Sequence, residues 1–96
     1  MELNEAREIL TRQLGELRKL SYAELRRLMD NPPGEVEVSG LSGTLYQLEV
    51  EVRWDSPNSH ENIRVMVSID DGGLRAFHPL MDDFIKAPDE SFVGES

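Results

Sequence analysis

Between Tyr46 and Trp54 apolar and polar residues alternate at every position. Tyr46, Leu48, Val50, Val52 and Trp54 fall on one side of an extended chain, and Gln47, Glu49, Glu51 and Arg53 on the other. Strand side chains project to opposite faces in turn, so the pattern predicts a sheet with one apolar and one largely acidic face. Ile63, Val65, Val67 and Ile69 repeat the alternation, and Val36 and Val38 begin it earlier. Between the first two strands, Leu41-Ser42-Gly43 fits a hairpin loop whose final glycine takes the left-handed bulge position. That loop opposes Val36 to Leu48 and Val38 to Tyr46, which brings the apolar residues of both strands to one face. Asp55 to Asn62 reads as a polar connection. Pairing Val52 with Ile63 aligns the next apolar rows and sets Glu51 opposite Arg64 on the outer face.

Asp70-Asp71-Gly72-Gly73 is a turn signal, and Leu74 to Phe77 is expected as a short fourth strand. Its register is left open by the loop length: one choice turns Leu74 and Ala76 inward and Phe77 outward near Met66, the other reverses them. Residues 79–96 are expected to be an irregular, partly apolar segment (Leu80, Met81, Phe84, Ile85, Phe92, Val93) that covers part of the outer face.

Ahead of the strands the period changes. Leu3, Ala6, Leu10, Leu14 and Leu17 recur at helical spacing and predict an amphipathic helix over Asn4 to Leu20. Ser21 and Glu24 form a capping box that starts a second helix, with Tyr22, Leu25, Leu28 and Met29 on one face. Asn31-Pro32-Pro33-Gly34 ends it, because proline lacks the N–H a helix needs and disfavours a helical predecessor. The expected architecture is α+β: two consecutive helices over residues 3–30 packed on a four-stranded antiparallel meander over 35–78, in a single domain of 96 residues.

Charge adds an asymmetry to this frame. The net charge is −9. Through Asp30, six basic and six acidic residues balance; beyond it Arg53, Arg64, Arg75 and Lys86 face thirteen acidic residues. The entire excess therefore belongs to the sheet half. Such a field repels nucleic acid and anionic membrane and attracts a basic protein. The chain contains no cysteine, which removes disulfides, thiolate metal sites and cysteine nucleophiles, and makes the cytoplasm the expected compartment. No apolar run reaches membrane-spanning length, and Met1-Glu2 opens an amphipathic segment instead of a signal peptide.

The chemistry-bearing residues do not assemble a reaction. Asp70-Asp71-Gly72-Gly73 lacks the alternating acidic series and terminal glutamate of a calcium loop. Asp82-Asp83 and Asp89-Glu90 read as solvated loop charge. His60 lies in a polar loop, and His78, before Pro79, has no aligned nucleophile. Gly40-Leu41-Ser42-Gly43 has no lysine and helix behind it to make a phosphate cradle. Glu49 and Glu51 on an open strand face lack the burial that would split their pKa values for acid–base work. No catalytic residue, metal or cofactor is expected.

Ser68-Ile69-Asp70-Asp71-Gly72-Gly73-Leu74-Arg75-Ala76-Phe77, with Met81-Asp82-Asp83-Phe84-Ile85 and Ser91-Phe92-Val93-Gly94-Glu95, resembles a group of short bacterial proteins of unknown function. The resemblance covers chiefly residues 44–95 and implies no activity.

The sequence thus points to a small acidic, non-enzymatic module that binds or regulates a basic protein, as an antitoxin or immunity-type inhibitor would. Its expected surface comprises Glu49, Glu51, Arg53, Arg64, Met66, Phe77 and Phe84, together with the C-terminal segment. Two alternatives come from other classes. One is a ligand-binding domain or minor enzyme with a pocket between helix and sheet near Trp54 and His78; the other is a structural homodimer formed through the first helix or an edge strand.

Overall fold

The computed structural model describes residues 3–72 and 79–95. Its elements run α1 (Leu3–Arg18), α2 (Tyr22–Asp30), β1 (Gly34–Ser39), β2 (Leu45–Ser56), β3 (Ser59–Asp70) and β4 (Leu80–Lys86). The strands form one four-stranded antiparallel sheet in the order β1-β2-β3-β4, with the helices on one face. This is the α+β meander that the two periodicities predict. No helix among the described residues is long and apolar enough to cross a membrane.

The helical stripe forms as its spacing demands, with one exchange. Ala6, Ile9, Leu10, Leu14 and Leu17 are buried, whereas Leu3, at the first helical position, remains exposed. At the start of α2 the Ser21 hydroxyl accepts a hydrogen bond from the Glu24 backbone N–H at 3.1 Å, satisfying one of the free donors of the new helix. Leu25 is fully buried and anchors α2 to the sheet. Complete burial of such a side chain contributes about 1.5–3 kcal/mol.

The first hairpin has the expected register, Val36 opposite Leu48 and Val38 opposite Tyr46. Gly40 N–H donates to Thr44 O, Gly43 N–H donates to Gly40 O, and Gly43 adopts φ +89°, the left-handed region in which a Cβ is penalised. The second hairpin differs from expectation. Val52 lies opposite Val65 and Trp54 opposite Ile63, and pairing continues to Ser56 and Ser59 through a tight Pro57-Asn58 turn. Asp55 to Asn62 is therefore mostly strand, not a polar connection. The displacement is two residues, so every side chain keeps its face; it arises at an irregularity between Trp54 and Ser56, where β3 advances four residues against two of β2, while alternation fixes parity. Its consequence is local: Glu51 opposes Met66, and Arg53 opposes Arg64.

The fourth strand is displaced in sequence. Residues 73–78, which include the expected strand Leu74 to Phe77, lie outside the described residues. The strand that pairs with β3 is Leu80–Lys86, within the segment expected to be irregular. Phe84 and Lys86 are buried on the helix-covered face, while Met81 and Asp83 occupy the outer one.

After β4 the chain turns back at once. Ala87 N–H donates to Ser91 O and Glu90 N–H to Ala87 O, the same bonding pattern as the turn at Gly40, and Glu90 takes the left-handed position at φ 75°. Lys86 bridges to Phe92, and the Phe92 ring meets Phe84 edge-on at 5.7 Å. The C-terminal segment consequently packs on the helix side of the sheet and does not cover the outer face as expected. The Arg18 guanidinium lies 3.9 Å from the Phe92 ring centroid and grips Glu95 through bonds of 2.6 and 2.8 Å, fixing the tail against α1.

Candidate functional site

With both helices and the C-terminal turn on one side, the opposite sheet face is left uncovered by the described residues. Alternation and register determine its membership: Glu35, Glu37 and Ser39 from β1, Leu45, Gln47, Glu49, Glu51 and Arg53 from β2, Arg64, Met66, Ser68 and Asp70 from β3, and Met81, Asp83 and Ile85 from β4. Five of the seven residues expected at an interaction surface are thereby brought onto one face. Glu49, Glu51 and Arg53 are exposed, and Arg64 and Met66 are half-buried beside them. Phe84 is a correction: opposite Val65, it is 3 % exposed and belongs to the core. Phe77 lies outside the described residues.

The face divides into two electrostatic zones. At one end Arg64 binds Asp55 at 2.9 Å and also pairs with Asp83, which relieves the Arg53–Arg64 juxtaposition across the strands. Its guanidinium pKa is raised, first by the hydrogen bond to Asp55 and then by the charge of Asp83, against a desolvation penalty. At the other end Glu35, Glu37, Glu49 and Glu51 form an acidic group in which Glu35 stands directly across from Glu49. None of these four enters an ion pair among the described residues. Like charges directly opposed on neighbouring strands oppose folding.

The floor beside this acidic zone is apolar. Glu49, Glu51, Met66, Ser68, Pro79 and Met81 enclose a shallow depression of 240 Å³. That falls below the roughly 300–1,000 Å³ of sites that enclose a small ligand. Its dimensions and lining suit a long cationic side chain, with methionine against the methylenes and carboxylates at the tip.

Sequence reasoning missed two contributors. Glu35 and Glu37 carried a usable signal, since they alternate with Val36 and Val38 and must share the face of Glu49. Met81 was expected on this side within an irregular segment and not as a strand residue, because Asp82-Asp83 interrupt the alternation of a strand.

The other expected site residues are engaged structurally. Trp54 stacks on His60 at 4.8 Å with an interplanar angle of 4°, and the Arg26 guanidinium lies 5.3 Å from its ring centroid. His78, the other half of the expected pocket, lies outside the described residues. Among the described residues no group of three or more His, Asp or Glu side chains is placed to hold a metal ion.

No family model matches the chain, and no curated protein or solved structure matches it.

Proposed function

We propose that this domain is a non-enzymatic binding module that engages a basic partner protein through the uncovered sheet face, with Glu35, Glu37, Glu49 and Glu51 as its electrostatic anchor. One contrast carries this reading. Elsewhere several carboxylates have partners: Glu5 bonds Ser42 and Tyr46, Asp55 and Asp83 take Arg64, Glu90 takes Lys86, and Glu95 takes Arg18. On the open face, among the described residues, Glu35 instead stands directly across from Glu49 on the neighbouring strand. A lysine or arginine entering the Met66–Met81 depression between Glu49 and Glu51 would relieve that repulsion and bury its methylenes on methionine, so attraction and desolvation act together.

The test uses two forms of the full chain as bait at low salt, the native protein and E49K/E51K. A partner rich in lysine and arginine, recovered by the native chain, lost with the variant and reconstituted from purified components, is the expected result. Equal recovery by both baits would overturn the assignment of this face.

A further inference from the structure

The acidic zone runs to the edge of the sheet, and that edge is open. β1 has β2 on one side and no strand on the other among the described residues. α1 packs over β3 and β4 and α2 over β2 and β3, so β1 lies at the margin of the helix layer, with Val38 packed against the core. Val36, expected under the leucine stripe, is accordingly 40 % exposed although it points to the helix side. A slot of 500 Å³ separates β1 from α1, lined by Ile9, Val38 and Leu41 and bordered by Glu8 and Arg12.

We infer that β1 is a docking edge that accepts, as a fifth strand, a partner segment in which apolar and basic residues alternate. This rests on the binding face proposed above and specifies how the partner enters it. The Gly40–Thr44 hydrogen bond sets the phase of the ladder, and alternation turns the N–H and C=O groups of Glu35, Glu37 and Ser39 toward the open edge. Partner residues on the helix side cover Val36 and Val38 and fill the slot beside Ile9. Partner residues on the outer side lie next to Glu35 and Glu37, where lysine or arginine meets two carboxylates without a counter-charge. Main-chain bonds supply affinity in this mode, and alternate side chains supply selection.

A second copy of the chain is disfavoured by the same geometry. Pairing of two β1 strands with their apolar rows on one side sets the Glu35 and Glu37 pair of one copy beside that of the other, multiplying the repulsion. The edge therefore carries its own selection against self-association.

A capped peptide alternating valine and lysine, matched to the six residues of β1, is titrated into the isotopically labelled full chain at low salt. Slowed amide exchange at Glu35, Glu37 and Ser39, with binding weakened at least about tenfold for a peptide of identical composition whose lysines are grouped at one end, is the expected result. E35K/E37K, which changes only exposed outer-face residues, should lose binding while its melting transition stays in place or rises. Binding that shifts Glu49 and Glu51 but leaves the β1 amides in fast exchange would overturn the edge inference and leave the binding face standing. Absence of binding by either peptide would overturn both. Equal binding of a valine–glutamate peptide, or a concentration-dependent dimer sealed along β1, would overturn the basic partner.

Discussion

Glu5 ties the first helix to the first hairpin through one carboxylate. It accepts from Ser42 N–H at 2.9 Å, Ser42 Oγ at 2.6 Å and Tyr46 Oη at 2.8 Å. The Ser42 and Tyr46 side-chain hydrogen bonds, chiefly, hold its pKa below the ordinary value of 4.5. A depressed folded pKa contributes stability that is present above the unfolded value and lost as pH falls through the folded one. The domain should thus lose stability on acidification below pH 4.5, and E5Q should flatten that part of a stability–pH curve measured by urea unfolding. Gly40 belongs to the same contact. A Cβ there would lie 2.6 Å from Glu5 Cδ and 2.9 Å from the ring of the fully buried Tyr46. Neither neighbour yields freely, one held by three hydrogen bonds and the other by the core. G40A should cost about 1–3 kcal/mol, read from the urea midpoint, with a smaller increment in an E5A background.

At the scale of elements, an ion pair between β4 and the turn that follows it braces the junction between the helices. Lys86, 6 % exposed, donates to the Leu20 carbonyl at 3.1 Å and lies 3.4 Å from Glu90. Glu90 in turn accepts the Tyr22 N–H at 3.0 Å. A cation thus serves the end of one helix and an anion the beginning of the next, the signs that helix termini favour. K86M should destabilise the domain by about 1–3 kcal/mol, since it strands the Leu20 carbonyl, and calorimetry of the variant checks this. The need for that carboxylate accounts for a non-glycine residue in the left-handed conformation at position 90. It also accounts for what the chain hides. Gly43 announces its turn, and Val36, Val38, Tyr46 and Leu48 announce their register, because composition and alternation there agree. The turn after Ala87 uses glutamate where glycine is expected, so the hairpin that follows β4 leaves no local trace. β4 itself reads poorly because Asp82 occupies an inward position at an exposed edge, where burial does not enforce an apolar residue.

For the molecule as a whole, burial among the described residues is one-sided. Helices and C-terminal turn share one face, and the other carries Glu35, Glu37, Glu49 and Glu51. The parity of Glu49 and Glu51 was readable from alternation alone. Their lack of counter-charge was not, because it depends on a two-residue shift that places Arg64 by Asp55 and Asp83 instead of Glu51. Relief of the Glu35–Glu49 opposition by E49K should raise the melting temperature by a few degrees while weakening binding to a basic partner, so stability and binding move in opposite directions. The most direct test is the affinity of E35Q/E49Q/E51Q for a purified basic partner, measured by calorimetric titration beside the native chain at low salt. Removal of three charges at nearly constant shape should weaken binding by roughly tenfold or more, with folding intact or improved. An affinity equal to that of the native chain would contradict the account, because it would place the partner somewhere other than the open acidic face.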